Sequence, residues 1–405
     1  MTLTRPLNPP PPAGRVRLRE LIPSIKLGEF PTGPKNGITD VPGVLVSTMS
    51  IHEGDGEVNT GVTTILPRRD WFSSSCYAGM FRYNGAGELT GSHWLAETGV
   101  LASPIVLSNS YAIGACHTGV YQYASAEAPD AEFFLMPVVG ETFDGLLNNI
   151  KRFAVTPDHV VRGIRTATAD PVQEGNTGGG TGMICQGFKG GTGTSSRVVT
   201  GLTSDGGEVT YTVAALVQAN YGRMKHLHIA GAPVGRILLT EMLKDKEQAK
   251  KVAAYDAAKD KNDGSIIVVL ATDAPLNPTE LQRLARRATG GLSRVGGYGN
   301  NTSGDIFMAF STAAHLPSQG IGLGDGSDGV DVRKPMAIKA ETIYVPTTDP
   351  LLEAAADVTE EAIYNVLCKA ETMVGWRGAE IEAMPLDKVK EIVERHLELE
   401  ESFNK

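Results

Sequence analysis

From Ile266 the chain reads Ile266-Ile267-Val268-Val269-Leu270, with no polar interruption and mostly β-branched side chains. Such a run predicts a central strand buried on both faces. It follows a segment of opposite character. Across 242–263 the charges of Lys244, Asp245, Lys246, Glu247, Lys250, Lys251, Asp256, Lys259, Asp260, Lys261 and Asp263 leave few apolar positions. That segment reads as a solvated helix or a linker. Two further strand-like runs, Val198–Leu202 and Val209–Ala219, are separated by Asp205-Gly206-Gly207, a hairpin turn. Nearer the N-terminus, Gly37–Asp40, Val41–Val46 and residues 60–66 read as short β-type runs between turns. The stretch 75–120 mixes Gly, Ser and Asn with apolar pairs and predicts loops and short helices.

Helical periodicity is clearest in the last third. Asn277-Pro278-Thr279-Glu280 has the form of an N-cap with proline first and Glu third in the helix. Leu281, Leu284, Ala285 and Ala288 follow at helical spacing, and Gly290-Gly291 is the predicted stop. Asp349-Pro350 opens a second helix through Leu367, and a third runs from Leu386 through Val389, Val393 and Leu397. There is no tandem repeat, and the mixture predicts an α/β or α+β protein.

Composition narrows the function classes. The 405 residues carry a net charge of −9, which disfavours a nucleic-acid partner, since those usually present a basic face. No run approaches the roughly 18 apolar residues of a membrane helix. Met1 to Gly14 is proline-rich with no apolar core, so no secretory signal is visible and the cytoplasm is the expected compartment. Pro9 to Pro12 predicts a short extended arm. Cys76, Cys116, Cys185 and Cys368 form no C-x-x-C pair and are expected to be buried free thiols, with neither a disulfide scaffold nor a zinc site. Glycine is in excess, 47 residues, which points to tight turns and close backbone approach.

The chemistry gathers at Gly264-Ser265. A hydroxyl at the head of a rigid buried strand is held in place, and a preceding glycine leaves its carbonyl open. Attack of Ser265 Oγ on that carbonyl, an N→O acyl shift and hydrolysis of the ester would make Ser265 a new N-terminus. Its α-amine, with a reference pKa of about 7.7–8.0, would suit a general base. Other features read two ways from the residues alone. Ser303-Gly304-Asp305 is turn chemistry, Asn220 can cap a turn before Gly222, and Glu141 can be an exposed acid at a helix start. His226 and His228 stand at strand spacing with no third metal ligand placed. The glycines 178–180 lack a phosphate-loop pattern and fit close backbone packing.

Several motifs change that weighting: Asn36-Gly-Ile-Thr-Asp-Val-Pro-Gly43, Asn84-Gly-Ala-Gly-Glu-Leu-Thr-Gly91 with Ser92-His93-Trp94, and Gly175-Asn-Thr-Gly-Gly-Gly-Thr-Gly-Met183. Gly187-Phe-Lys-Gly190, Val217-Gln-Ala-Asn-Tyr-Gly222, Asp263-Gly-Ser-Ile-Ile-Val-Val-Leu-Ala-Thr-Asp-Ala-Pro275 and Asn301-Thr-Ser-Gly-Asp-Ile-Phe307 continue the series, which ends in Ala309-Phe-Ser-Thr312. In this order they resemble the family of the L-aminopeptidase/D-Ala-esterase/amidase DmpA and the β-aminopeptidase BapA.

The resemblance implies a four-layer α/β/β/α sandwich and a self-processing serine aminopeptidase acting on short peptides, amino-acid amides or esters of L-, D- or β-amino acids. It implies Ser265 as nucleophile, cleavage between Gly264 and Ser265, and Ser303 and Asp305 as its supporting hydroxyl and carboxylate, with Glu in place of Asp305 in some members. Asn220 matches the oxyanion-hole asparagine. Glu141 matches the carboxylate that holds the substrate ammonium. Phe143 stands where some members carry a tyrosine, so that hydroxyl is missing here. The implied organisation is an entry segment 1–35 and one catalytic domain 36–405. Cleavage would divide the chain into 1–264 and 265–405, the latter of 405 − 264 = 141 residues. No cofactor, metal, nucleic acid or membrane is implied, and a homo-oligomer, a tetramer or larger, of processed protomers is. Two other readings are an acyltransferase similar to ornithine acetyltransferase, whose nucleophile is threonine, and an unprocessed binding protein.

Overall fold

The computed structural model describes residues 14–127, 129, 135–259, 264–317 and 334–403. The strands are β1 (Leu45–Glu53), β2 (Val58–Leu66), β3 (Ser74–Gly85), β4 (Val100–Leu101), β5 (Ile105–Asn109), β6 (Val138–Thr142), β7 (Ile184–Cys185), β8 (Phe188–Lys189), β9 (Gly191–Leu202), β10 (Glu208–Tyr221), β11 (Gly264–Thr272) and β12 (Gly304–Pro317). The helices that matter below are α1 (Ile113–Glu127), α2 (Pro157–Thr166), α3 (Val234–Met242), α4 (Lys246–Lys259), α5 (Pro278–Val295), α6 (Asp349–Lys369) and α7 (Leu386–Phe403).

Two sheets stack face to face. One has the order β1-β2-β5-β6, the other β4-β3-β12-β11-β10-β9. Three apolar cores account for the layering. One joins α1 and α2 to the first sheet through Val106, Val120 and Ile164. One lies between the sheets around Ile65, Leu107, Ile267 and Met308. One joins α5 and α6 to the second sheet through Val268, Leu284 and Val358. The result is the expected α/β/β/α sandwich. All of β11 is buried. Ile266, Val268 and Leu270 enter the helix-side core, while Ile267, Val269 and Ala271 enter the core between the sheets. A strand with two apolar faces has no room for polar alternation. No helix among the described residues is long and apolar enough to cross a membrane.

Several expectations are corrected. The segment 75–120 is not mainly loop, because β3 is a twelve-residue strand paired with β12. Its alternation is Cys76, Ala78 and Met80 toward the other sheet, Tyr77, Phe81 and Tyr83 toward the helices, and small residues on one face hide the pattern. Gly290-Gly291 does not end α5, which continues to Val295 before the left-handed Gly296. Gly291 serves packing instead: a Cβ there would lie 2.3 Å from Ala356 O of α6. Ile38–Asp40 is a short 3-10 turn whose Asp40 accepts from the Gly37 amide at 3.1 Å, so the first strand begins only at Leu45. The segment 242–263 is helical over α4, and 260–263 lie outside the described residues, as do Pro9 to Pro12. All four cysteines are buried and free.

Candidate active site

β10, β11 and β12 lie side by side, and their register sets the site. Asn220 pairs with Ser265 across the antiparallel β10–β11 ladder, and Gly304 pairs with Ser265 across the parallel β11–β12 ladder. Paired residues in neighbouring strands point to the same face. Ser265, in phase with Ile267, therefore faces the first sheet together with Asn220. Gly264 carries φ +86°, a left-handed conformation that side-chain-bearing residues rarely adopt. The bond proposed for cleavage thus begins at a backbone position that favours glycine.

The Gly304 amide donates to Ser265 Oγ at 3.1 Å. Ser303 donates to Asp305 Oδ1 at 2.7 Å, and both are buried. Asp305 pairs with Ile266, so it faces the helical layer, where with Ser303, Asn300 and Tyr221 it lines a small cavity. The three residues expected to work together are thus brought to one strand end. Gly304 connects them, and the pair Ser303–Asp305 lies on the other face of the sheet from the Ser265 hydroxyl. Asn84 holds this corner by donating to the carbonyls of Asn300, at 2.6 Å, and Ser303.

Asn220 is buried and fully oriented. Its Oδ1 accepts from the Ile184 amide at 2.9 Å, and Nδ2 donates to Phe143 O at 2.8 Å. An amide nitrogen has two hydrogens, so a second remains for a substrate oxygen. Phe143 therefore contributes through its carbonyl, while its ring is partly exposed. That role needs no tyrosine hydroxyl.

Glu141 sits in β6, buried rather than exposed at a helix start. It accepts from the Glu88 amide at 3.1 Å and from the Ser110 hydroxyl. Gly87 packs between Glu141 and Gly304, the partner of Ser265: a Cβ on Gly87 would lie 3.0 Å from Gly304 Cα and 3.3 Å from Glu141 Oε1. Burial pushes the Glu141 carboxyl up, against the hydrogen bonds from Ser110 and Glu88 that pull it down. A buried carboxylate with its acceptor capacity not exhausted is suited to receive an ammonium group.

The strand ends beside it are held by a second acid. Asp144 accepts from Asn148 Nδ2 at 2.9 Å. Burial raises its pKa to about 7, opposed by hydrogen bonds from Asn148 and Thr60. A carboxyl raised in the folded state stabilises most below its unfolded pKa, and that stability is lost as pH rises toward the folded one. Asp144→Asn removes this dependence. Between pH about 4 and about 7, the unfolding free energy of the wild type is expected to fall relative to the variant. The slope is at most about 1.4 kcal/mol per pH unit, measured by denaturant titration across pH, and a parallel pair of curves would refute it.

The histidines form no site. His226 ends a 3-10 turn, Met224–His226, rather than standing on a strand, and His228 Nδ1 lies 2.8 Å from His226 O. Among the described residues no cluster of three His, Cys, Asp or Glu is placed to hold a metal ion. The glycines 178–180 pack against backbone and side chains: a Cβ on Gly179 would lie 2.0 Å from Gln218 Oε1 and 2.6 Å from Leu107 O. Sequence reasoning missed Ser110, the Gly304 and Ile184 amides, and the Phe143 carbonyl. Backbone groups leave no residue-type signal.

Residues 36–381 match peptidase family S58. The chain belongs to this family. A β-peptidyl aminopeptidase of Sphingosinicella microcystinivorans is 43% identical over 376 residues, covering 91% of this chain and 90% of that protein. The solved structure of a Burkholderia sp. β-aminopeptidase superposes with a TM-score of 0.79 at 37% identity, over 94% of this chain and 99% of the other. That of the L-aminopeptidase D-Ala-esterase/amidase of Ochrobactrum anthropi, described as a prototype serine aminopeptidase with a variant Ntn hydrolase fold, gives 0.78 at 38% identity, over 94% and 98%. This S58 member is a serine-type hydrolase of the aminopeptidase class with that fold. The acyltransferase and binding-protein readings are not favoured by these relatives.

Proposed function

We propose that the chain cleaves itself between Gly264 and Ser265 and then acts as an aminopeptidase through an acyl-enzyme on Ser265. The observation that carries this is the pairing of Ser265 with Asn220 on one side and Gly304 on the other. In processing, Ser265 Oγ attacks the Gly264 carbonyl and the Ser265 nitrogen leaves as an amine. Water then hydrolyses the ester, and Gly264 becomes the carboxyl end of residues 1–264. In turnover the α-amine accepts the Oγ proton as Oγ attacks the substrate carbonyl. The leaving amine or alcohol takes a proton, and water releases the amino acid.

Asn220 Nδ2 is the donor to the oxyanion, and such donors are often among the largest catalytic contributions. Glu141 holds the substrate's ammonium, which selects molecules with a free N-terminus. Ser303 and Asp305 are the partners for the α-amine that cleavage creates. The substrates are short peptides and aminoacyl amides or esters. β-Aminoacyl compounds come first, because two of the relatives above carry that activity in their names. The same reading carries a homo-oligomer of processed protomers.

The test uses the purified wild-type chain. Intact mass under denaturing conditions should show two fragments meeting at Gly264/Ser265, and a β-aminoacyl p-nitroanilide should release nitroaniline. An intact chain that stays inert toward β- and α-aminoacyl anilides on long incubation overturns the proposal.

A further inference from the structure

Among the described residues, Lys189 is a buried basic group that the chemistry above does not use. It is fully buried in β8, and among the described residues no carboxylate pairs with it. Its ammonium instead donates to Met183 O at 2.9 Å and Gly190 O at 2.8 Å, with Gly180 O at 3.5 Å. Burial brings it down to about 7, and Cys185 is the one titratable neighbour acting on it. An ammonium in such a place carries a desolvation cost that a methionine of similar length would avoid. The fold therefore accepts a penalty at this position, and the hydrogen bonds show where it is directed.

Met183 C=O and Ile184 N–H belong to one peptide group. The oxygen of that group receives Lys189 Nζ and, at 2.8 Å, the Gly190 amide. The nitrogen of the same group donates to Asn220 Oδ1 at 2.9 Å. From there the Asn220 side chain carries the chain onward through Nδ2. A cation on the carbonyl of a planar peptide draws electron density from its nitrogen and makes the N–H a stronger donor. A stronger donor on Asn220 Oδ1 does the same to the Asn220 amide. Four groups thus form one polarised line: Lys189 ammonium, the 183–184 peptide, the Asn220 amide, and the oxygen that Nδ2 meets. The line is buried along its length, where hydrogen bonds polarise one another most. The geometry also fixes direction, because Oδ1 held by Ile184 keeps Nδ2 turned toward Phe143 O and the Ser265 side.

We propose that Lys189 is a positioning residue for the reaction: through the Met183–Ile184 peptide it orients and polarises the Asn220 amide that binds the oxyanion. The inference rests on the reading of Asn220 given above. It does not touch substrate, so its effect belongs to the chemical step and not to binding.

The test compares Lys189→Met, Asn220→Ala and the double variant, each as fully processed protein, with a β-aminoacyl p-nitroanilide. Lys189→Met is expected to lower kcat about tenfold to a hundredfold with KM changed less than about threefold. In the Asn220→Ala background the same substitution should add little, since the line then ends on nothing. The carbonyl stretch of an acyl-enzyme trapped with a slow aminoacyl ester should move to higher frequency in Lys189→Met, and a residue that only supports the fold would not move it. If Lys189→Met does not fold, Lys189→Gln, which is neutral and still polar, takes its place with the same readouts. A full loss on top of Asn220→Ala, or an unmoved carbonyl stretch, overturns the inference alone. An Asn220→Ala enzyme with unchanged kcat overturns the oxyanion assignment and this inference with it.

Discussion

The Ser265→Ala variant is expected to accumulate as one uncut chain of 405 residues with no turnover. Ser265 Oγ is the atom proposed for both attacks, on Gly264 and on substrate, so both losses should appear together. Ser303, the other serine of this strand end, is not placed to replace it. Ser303 donates to Asp305, and that pair faces the helical layer while Ser265 faces the other sheet. The loss of turnover should reach about 10⁴-fold or more, the range seen when a nucleophile of this kind is removed. The fold should survive, since alanine suits a buried strand end and leaves the β11 ladder intact. Intact mass and a denaturing gel check the first half, and initial rates at high enzyme concentration check the second. A variant that still arrives as two fragments would move the processing chemistry to another group.

Glu141→Gln should have the next largest effect, and a selective one. The amide oxygen still accepts from the Glu88 amide and its nitrogen can donate to the Ser110 hydroxyl, but the side chain cannot neutralise an ammonium. Leaving one charge of a buried pair without its partner costs about 2–5 kcal/mol, so kcat/KM for substrates with a free amine should fall by roughly 10² or more. An analogue with a methyl group in place of the amine should be handled alike by both enzymes, at a low rate. The pH dependence gives a second sign. Burial raises the Glu141 carboxyl in the empty site, so wild-type binding of an ammonium substrate weakens as pH falls through that raised value. The variant should lack this acid limb. Equal losses on both substrates would show that Glu141 supports the strand end and does not read charge.

What could be read without coordinates divides by the range of the interaction. α6 and α7 follow their apolar spacing closely, and Asn277 caps α5 as its residues demand, accepting from the Glu280 amide at 3.1 Å. β11 is legible because five consecutive apolar residues admit few other fates. The end of α5 is not, because Gly291 answers to a carbonyl on a distant helix and not to its own neighbours. β3 escapes because its face toward the other sheet is built from Cys76 and Ala78, and Gly79 interrupts the opposite one, so neither carries a strong hydrophobic signal. In the site, Ser265 stood out through its glycine and its strand. Asn220, Glu141, Ser303 and Asp305 came from resemblance, since local pattern favoured turns or surface. Their assembly is a matter of register: Asn220 lies opposite Ser265 only because β10 and β11 pair as they do. At Phe143 the residue type draws attention to the side chain, whereas it is the carbonyl that accepts the hydrogen bond from Asn220.

The order of the second sheet bears on how the molecule is made. β11 and β12 lie between β3 and β10, so processing as proposed would leave two fragments whose strands are interleaved within one hydrogen-bonded surface. Before the cut, assembling that surface is a unimolecular event with a fixed effective concentration. After it, re-forming the surface from unfolded fragments requires an encounter in solution, and success depends on dilution. The proposed cut would therefore work as a ratchet: the intact chain could find its native state repeatedly, and the processed one effectively once. The persistence of the processed form would then be governed by how slowly it opens and not by how readily it refolds.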